Sequence, residues 1–409
     1  MGRNMTATAS SVRKKINNKS ESDAKYDESK IKTLSPLEHI RLRTGMYIGR
    51  LGSGTDPDDG IYVLLKEVVD NSIDEYIMGH GKNIDVTVQG DKVVIRDYGR
   101  GIPLGKIIEC VSVINTGAKY NDDVFQFSVG LNGVGTKAVN ALSSHFKVVA
   151  YRDGKYAEAT FSQGNLLSHK KKGTTTELDG TLVEFQPDQE IFGEYAFNHE
   201  FVEKRMANYA CLNSGLRLNY NGQKFESKHG LLDLLRAEAG DGMIYEPAYY
   251  KAKQLEFAFT HIEGYGESYR SFVNGQYTSD GGTHQSAFRE GIFKGVNEFY
   301  KKNYNSVDVR DGTFAIVAVK VKDPVFESQT KNKLGNTDLR GWIVNETREA
   351  VIDFLHKNSN AAKELEGRII HNEKLRKDLN AVRKEAKEAA KRIQIKIPKL
   401  KDCKYHLGD

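Results

Sequence analysis

Cysteine is scarce in this chain, and long apolar runs are missing. Cys110, Cys211 and Cys403 are the three cysteines among 409 residues, and they show no Cys-x-x-Cys spacing. This usage argues against a disulfide framework or a zinc site and predicts a protein of the reducing cytoplasm. No apolar run approaches the roughly 20 residues of a membrane-spanning helix, so we expect no membrane association.

Neither sign of charge dominates. The formal net charge of +5 permits contact with an acidic polymer but does not require one, because dedicated nucleic-acid modules are usually more basic. Hydrophobic residues make up 39% and charged residues 28% of the chain, as in globular proteins. A chain of this length should form about two domains.

Large apolar residues are rare over residues 1–25, where Ser, Thr, Asn, Lys and Arg prevail. A transit peptide is one interpretation, since Arg3 and Arg13 precede any acidic residue. A disordered basic tail is the other. Glu21 and Asp23, together with the lack of an amphipathic stripe, favour the tail.

Hydrophobic periodicity predicts helices and strands in two successive units, the second beginning near residue 228. In the first unit, residues 61–79 show a helical stripe, residues 84–88 and 93–96 have the pattern of strands, and residues 117–135 are polar and Gly-rich like a lid. The other predicted elements are helices over 103–116, 136–142, 199–213, 229–238 and 284–302, a strand over 314–319 buried on both faces, and helices over 336–392 whose charged end from 373 projects.

Four short motifs in one order describe a nucleotide pocket. They are Glu67-Val-Val-Asp-Asn71, Asp97-Tyr-Gly-Arg-Gly101, Gly130-Leu-Asn-Gly-Val-Gly135 and Gly180-Thr181. Glu67 and Asn71 share one face of the predicted helix, which Asp74 extends. A carboxylate beside a carboxamide suits a water-activating base next to a magnesium ligand. The alternative is an ordinary solvated helix face.

Asp97 comes at the end of a predicted strand and is followed by Gly99 and Gly101. A carboxylate there can accept a hydrogen bond from an exocyclic amine, and the glycines let the backbone approach a flat ring. A type I turn that closes a hairpin would use the same residue types.

The Gly130–Gly135 segment precedes a predicted helix, where glycine NH groups and a helix start can bind phosphate. It fails as a P-loop because Thr136 precedes Lys137, the reverse of the required order, and Gly99-x-Gly101 fails as a dinucleotide motif. The polar loop Ser328–Lys333 could neutralise a terminal phosphate if it reached the pocket. A solvated loop is the simpler interpretation.

Together the motifs resemble the GHKL (Bergerat) ATP-binding fold shared by DNA gyrase B, HSP90, histidine kinases and MutL. Arg43–Gly49, Asp280–His284 and Ser328–Lys331 narrow the resemblance to the B subunits of bacterial type II topoisomerases, either gyrase B or its topoisomerase IV counterpart. The resemblance runs from about Tyr26 to the end of the chain. The overall similarity of the sequence favours the topoisomerase IV subunit over gyrase B.

The resemblance implies an α+β fold of two domains with ATP and Mg²⁺ as ligands. After a disordered tail over 1–25, a GHKL ATPase α/β sandwich with an N-terminal dimerisation arm would occupy residues 26–227. A transducer domain of the ribosomal protein S5 domain 2-like fold would occupy 228–398. Residues 399–409 would begin a truncated cleavage (TOPRIM) domain, so we expect ATP hydrolysis without DNA cleavage.

Roles follow from the same resemblance. Glu67 would be the general base and Asn71 the magnesium ligand. Gln329 and Lys331 would reach the γ-phosphate from the transducer. The implied nucleotide-binding residues are Tyr26, Asn71, Asp97, Gly99, Gly101, Ile102, Lys119, Gly130, Leu131, Asn132, Gly133, Val134, Gly135, Thr181, Gln329 and Lys331, with Asp97 and Thr181 at the adenine.

The implied partners are DNA, an A-type topoisomerase subunit and a second copy of the chain. Tyr26 and Ile31 match an arm that crosses to the partner protomer, so that ATP would close a dimer gate around DNA. Arg152 would lie at the pocket mouth, where aminocoumarin-type inhibitors bind. The chain departs from the family pattern at four places. Thr44 replaces the usual proline, Asn132 the usual histidine and Tyr98 a second acidic residue, and the segment after Pro103 is shorter. These departures bear on the contacts of the lid and on the fit of inhibitors.

Three rival interpretations compete with this one. Leu37-Glu-His-Ile-Arg41 looks like the phosphoacceptor box of a histidine kinase, but no dimerising helical pair surrounds His39. A non-enzymatic DNA-binding module would use the charged segment 373–396, whose acidic residues dilute its positive field. The third is a MutL-like or HSP90-like ATPase, and the segments Gly281-Gly-Thr-His284 and Gln329-Thr-Lys331 argue against it.

Overall fold

The computed structural model describes residues 31, 33–117, 133–327 and 331–393, with side chains as far as residue 389. By its contacts the chain divides into Met1–Ser35 and Pro36–Asp409, and the larger unit holds both sheets described below. The predicted tail, residues 118–132 of the predicted lid and the predicted start of a cleavage domain lie outside the described residues. So do the predicted site residues Tyr26, Lys119, Gly130, Leu131, Asn132 and Gln329.

Eight strands of the described chain form the first sheet. Those over Asn83–Gln89 and Lys155–Ser162 alternate between buried and half-buried residues, as expected of strands packed on one face. The eight strands are β1 (Asn83–Gln89), β2 (Lys92–Asp97), β3 (Ser143–Arg152), β4 (Lys155–Ser162), β5 (Asn165–Thr174), β6 (Gly180–Pro187), β7 (Arg217–Tyr220) and β8 (Gln223–Phe225).

The order across this sheet is β5-β4-β3-β6-β2-β1-β7-β8. All neighbours are antiparallel except β1 and β7, which run parallel with Asn83 opposite Arg217. Asn221 and Gly222 form the turn between β7 and β8, and both have positive φ angles, 47° and 87°, as a tight hairpin turn requires.

The helices of this part of the chain surround the sheet, and α3 packs against β2 and α5. Their bounds are α1 (Pro36–Leu42), α2 (Gly45–Ile48), α3 (Gly60–Ile77), α4 (Ile107–Ser112), α5 (Gly135–Ala141), α6 (Gln189–Phe192) and α7 (His199–Leu212). The helices predicted over 61–79, 136–142 and 199–213 are thereby confirmed.

Two local predictions are wrong. Asp74 does not extend an open polar face of α3, since its exposed fraction is only 1%. It lies one turn after Asp70, on a side of α3 that α7 covers through the Tyr209 hydroxyl. The helix predicted over 103–116 is shorter, because a 3₁₀ turn occupies Leu104–Lys106 and the chain is extended again after α4.

A five-stranded second sheet has the order β12-β11-β13-β10-β9 among the described residues. Its central strand β13 is buried on both faces, as predicted, and runs parallel to β11 and antiparallel to β10. The strands are β9 (Ala248–Lys251), β10 (Leu255–His261), β11 (Ser268–Val273), β12 (Gln276–Tyr277) and β13 (Thr313–Val319).

Five helices of the described chain accompany the second sheet: α8 (Leu231–Ala239), α9 (Thr283–Tyr300), α10 (Ser306–Arg310), α11 (Leu339–Lys357) and α12 (Ser359–Ile393). Gly291 brings α9 against α11, since a Cβ there would meet the Thr347 Cβ at 2.6 Å. None of the helices in the described ranges combines the length and apolar content of a bilayer crossing.

The first half of α12 is fixed and its end is exposed. Arg376 binds Asp308 of α10 through two bonds, Nε–Oδ1 at 2.6 Å and Nη2–Oδ2 at 2.7 Å. Asn372 donates to the backbone carbonyl oxygens of Asp308 and Asp311. From Lys377 to Ala389 every side chain is exposed, so the charged end projects, but from residue 377 and not from 373 as predicted.

Candidate nucleotide-binding site

A cavity of about 400 Å³ opens between α3, α5 and the first sheet. It collects most of the predicted site residues that the structure describes, although they are far apart in sequence. Lining it are Glu67, Asn71, Asp97, Gly101, Ile102, Gly133, Val134, Gly135, Thr181 and Lys331. Gly99 is not part of the lining, and its backbone NH instead supports the Asp97 carboxylate.

Asp97 ends β2 as a nearly buried carboxylate with an exposed fraction of 6%. Its Oδ1 accepts hydrogen bonds from the backbone NH groups of Gly99 at 2.9 Å and Thr181 at 3.2 Å. Its Oδ2 accepts from the Ser72 hydroxyl at 3.5 Å. Burial raises the pKa of Asp97 to about 6, against the lowering effect of the two backbone hydrogen bonds. At neutral pH this carboxylate is therefore an ionised acceptor in the cavity wall.

Gly101 and Gly180 are required beside Asp97 by close backbone contacts. At Gly101, with φ of 71°, a Cβ would meet the Tyr151 carbonyl oxygen at 2.3 Å. At Gly180, with φ of 138°, a Cβ would meet the Asp97 carbonyl oxygen at 2.1 Å. Both positions combine a backbone conformation that favours glycine with no room for a side chain.

Glu67 and Asn71 face the start of α5. A Cβ at Gly135 would lie 1.8 Å from Glu67 Oε2, so the carboxylate occupies the space above that glycine. Asn71 Nδ2 donates to the Thr136 hydroxyl at 2.8 Å and to the Glu67 carbonyl oxygen at 2.7 Å. These bonds use both hydrogens of the amide nitrogen, so the atom that Asn71 can offer to a cation is Oδ1.

Within the described ranges, no group of three or more His, Cys, Asp or Glu side chains could hold a metal ion. A dedicated protein cage for a metal is thus not seen there. Magnesium commonly takes only one or two protein oxygens and completes its shell with water and substrate phosphates. Asn71, which lines the cavity together with Glu67, fits that mode of binding.

Lys331 reaches the cavity from the loop between β13 and α11. Its exposed fraction is 9%, and its φ of 59° places the backbone in the left-handed region. The loop that the sequence presents as solvated therefore delivers a buried ammonium group to the cavity that Glu67 lines. Burial strengthens the interaction of that charge with any anion in the cavity.

Several lining residues were missed by sequence reasoning, among them Tyr47, Glu75 and Arg100. Glu75 follows Asn71 by four residues, so the helical spacing that links Glu67 to Asn71 could have found it. Arg152 also lines the cavity, and its Nη1 is 3.5 Å from the Gly101 carbonyl oxygen. His39, the candidate phosphoacceptor, instead bonds the Tyr47 hydroxyl at 2.9 Å.

Comparison with known families matches both halves of the chain. Residues 56–190 match the family described as histidine kinase-, DNA gyrase B- and HSP90-like ATPase. Residues 225–386 match the DNA gyrase B family. The first match covers all the residues that line the cavity except Tyr47 and Lys331, and the second includes Lys331 and the second sheet.

Similar proteins and structures agree with these matches. The B subunit of DNA topoisomerase 4 from Borreliella burgdorferi is 60% identical over 385 residues, covering 94% of this chain and 64% of that protein. The DNA gyrase B subunit of Thermotoga maritima is 33% identical over 406 residues, covering 90% of this chain and 61% of that protein. The chain thus spans less than two thirds of the length of either relative.

The 43K ATPase domain of Thermus thermophilus gyrase B, solved in complex with an aminocoumarin, matches with a TM-score of 0.68 and 27% identity. That match covers 85% of this chain and 97% of the solved chain. The ATPase region of Saccharomyces cerevisiae topoisomerase II shares the fold, with a TM-score of 0.67 and 21% identity over 84% of this chain and 98% of the solved one. The chain belongs to the family of type II DNA topoisomerase B subunits, with a GHKL ATPase domain followed by a gyrase B-type transducer region.

Proposed function

We propose that this chain binds and hydrolyses ATP and acts as the nucleotide-operated part of a type II DNA topoisomerase. The observation that carries the proposal is the composition of one cavity. Asp97, Glu67 with Asn71, and Lys331 line it together, although Lys331 belongs to the part of the chain that forms the second sheet.

The adenine end of the cavity would lie at Asp97. Its buried carboxylate can accept a hydrogen bond from the exocyclic amino group, and Oδ2 is the oxygen with fewer protein donors. Thr181 lies next to it and can add a second polar contact. A site that bonds an amino group discriminates strongly against bases that lack one, because the buried carboxylate would be left without that partner.

The phosphates would lie toward α5, where Glu67 is positioned to act. Glu67 would orient a water molecule for in-line attack on the γ-phosphate and accept its proton, as a general base. Asn71 Oδ1 would hold Mg²⁺ together with phosphate oxygens, and the ion would neutralise phosphate charge. Glycine NH groups at Gly133 and Gly135 are the polar groups available to the phosphate chain.

Lys331 would couple the presence of the third phosphate to the conformation of the transducer. ADP lacks the γ-phosphate, so only ATP would hold the Lys331 loop in the cavity by charge. A ligand shifts a conformational equilibrium by its difference in affinity for the two states, and this ammonium group supplies such a difference. We expect Gln329 of the same loop to assist.

In the complete protein, ATP binding would close a homodimer gate through the N-terminal arm, with Tyr26 contacting nucleotide and DNA captured inside. An A-type subunit would supply DNA cleavage, and the location would be cytoplasmic. The 60% identical relative favours a topoisomerase IV-like role, with gyrase-type supercoiling as the alternative. Aminocoumarin-type inhibitors would bind at the cavity mouth beside Arg152.

ATP turnover measured against protein concentration tests the proposal, with Glu67→Ala as the variant. Specific activity should rise with concentration as dimers form. Glu67→Ala should still bind nucleotide but lose turnover by the ~10²–10⁴-fold typical of general-base loss. A specific activity that does not depend on protein concentration would contradict the arm-mediated dimer gate. Unchanged turnover in Glu67→Ala would contradict the assignment of Glu67 as the base.

A further inference from the structure

Next to Glu67, three buried polar side chains form a network to which the proposed mechanism gives no role. Lys66 Nζ donates to Asp70 Oδ2, and the Tyr209 hydroxyl donates to Asp70 Oδ1. The exposed fractions of Lys66, Asp70 and Tyr209 are 9%, 1% and 5%. Charged groups are rarely kept at such burial, and a buried ion pair is weak evidence of a purely stabilising role.

The network extends to the cavity because Lys66 faces two carboxylates. Its Nζ is 4.0 Å from Glu67 Oε1. The other oxygen of the same carboxylate, Oε2, lies above Gly135. Glu67 therefore has a cation on one side and the start of α5 on the other, and this arrangement defines the direction in which the carboxylate can act.

The charges around Lys66 keep it a cation. Burial alone lowers its pKa, but the carboxylates of Asp70 and Glu67 more than offset that effect, and the pKa lies above its usual value. Arg205 of α7 is the cation that opposes this shift, and its guanidinium group donates to the Pro57 carbonyl oxygen. Lys66 is therefore charged throughout the pH range in which ATP hydrolysis is measured.

We propose that Lys66 is a positioning residue for the general base: its ammonium group, held by Asp70 and Tyr209, keeps the Glu67 carboxylate turned toward the start of α5. The inference rests on the proposed ATPase function. A general base acts only within hydrogen-bond reach of the proton that it abstracts, so the direction of its carboxylate decides whether it can act. Tyr209 and Asp70 fix the cation in place, so the base needs no rearrangement before each turnover.

Two variants separate this role from simple stabilisation. Lys66→Met removes the cation but leaves Asp70 without its ion-pair partner, which risks unfolding. Lys66→Met/Asp70→Asn removes both charges and keeps the shapes, so the interior holds no uncompensated charge. Lys204→Met is the matched control, because Lys204 is an exposed lysine on α7.

The measurement is kcat and KM for ATP at neutral pH, together with the affinity for a non-hydrolysable ATP analogue. In both variants kcat should fall by about tenfold, because a carboxylate that is no longer held reaches the attacking water in fewer of its conformations. KM and analogue affinity should stay within about threefold, since Lys66 is not among the residues that line the cavity. Lys204→Met should keep the wild-type kcat.

An unchanged kcat in the folded double variant would overturn the inference, and a purely structural ion pair predicts that result. The proposed function fails in a different way: the wild-type chain would show no turnover, or Glu67→Gln would retain it. Measuring Glu67→Gln in the same series keeps the two failures apart.

Discussion

Glu75 and Arg100 form a two-pronged ion pair in the cavity wall, with the Nε–Oε2 and Nη2–Oε1 distances both 2.9 Å. The backbone NH of Arg100 also donates to Glu75 Oε2, at 3.0 Å. Burial raises the pKa of Glu75, but the hydrogen bonds and charge of Arg100 outweigh it, and the pKa lies below its usual range. The pair ties the loop after β2 to α3 and so holds Gly101 at the cavity.

A double-mutant cycle with Glu75→Gln and Arg100→Gln should give a coupling of about 1 kcal/mol in the free energy of unfolding at pH 7. The side chains are 20% and 31% exposed, so solvent screening keeps the coupling modest. Because the folded-state pKa of Glu75 is depressed, the coupling is present above the unfolded value of 4.5 and is lost as pH falls below it.

The matched control is the exposed pair Lys106–Glu109, whose nitrogen–oxygen distance of 3.0 Å is similar. Chemical denaturation of the same cycle at that pair should give a coupling near zero, since exposed pairs contribute little. Equal coupling at the two pairs would mean that burial at the cavity wall adds nothing to the Glu75–Arg100 interaction.

Asp97→Asn should stabilise the fold at pH 7 while weakening nucleotide binding. Because burial raises the folded-state pKa of Asp97 from 3.8 to about 6, its contribution to stability is present below pH 3.8 and is lost as pH rises toward 6. Over that window the wild type should lose about 2–3 kcal/mol relative to Asp97→Asn. Urea denaturation between pH 4 and pH 7 measures this difference, and parallel curves would contradict it.

The affinity for an ATP analogue should depend on the same titration. Ionised Asp97 is the better acceptor for the adenine amino group, so the affinity of wild type relative to Asp97→Asn should fall about tenfold between pH 7 and pH 5. Taking the ratio cancels protonation of the phosphates, which both proteins experience. Calorimetry at each pH provides the affinities. A wild-type to Asp97→Asn affinity ratio that stays constant with pH would contradict the assignment of Asp97 to the adenine site.

Gly101→Ala should destabilise the protein by about 1–3 kcal/mol and weaken nucleotide binding. The reason is the φ of 71° and the 2.3 Å approach of a Cβ to the Tyr151 carbonyl oxygen. Gly105→Ala is the control, because a Cβ at that position would have no neighbouring atom within 4 Å. Thermal unfolding should separate the two variants clearly, and equal melting temperatures would show that the backbone near Gly101 relaxes freely.

Lys331→Gln should reduce the preference for ATP over ADP by about tenfold, since the variant lacks the buried cation proposed to bind the γ-phosphate. ADP affinity should change little. Lys333→Gln is the control, because Lys333 is exposed and pairs with Glu327 at 2.8 Å. Binding of ADP and of a non-hydrolysable ATP analogue provides the ratio, and an unchanged preference would exclude Lys331 from the third phosphate.

Local patterns were enough to predict α3, α5, α7 and the position of Asp97 at the end of a strand. The stripe of Ile61, Leu65 and Val68 repeats at helical spacing, and α3 buries all three. Asp97 is predicted at a strand end and lies there. These predictions succeed because the determining residues are neighbours along the chain, so that one short window contains the whole signal.

Relationships between distant segments could not be predicted in that way. No local window contains the parallel pairing of Asn83 with Arg217, or the arrival of Lys331 at the cavity that Glu67 also lines. The burial of Asp70 and Lys66 was also hidden, because charged residues on a helix suggest a solvated face unless their partners are known. Here Tyr209 is such a partner, and it lies on a helix that begins more than a hundred residues later.

The free end of α12 has a mechanical consequence. Arg376 and Asn372 anchor the helix to α10, and the exposed residues Lys377–Ala389 extend beyond that anchor. At about 1.5 Å per residue they make a stiff rod of about 20 Å, so a rotation of about 10° at the anchor moves its tip by about 3–4 Å. A small tilt near the sheet thus becomes a displacement comparable to an atomic diameter at the tip of the helix. This displacement grows with each further helical turn.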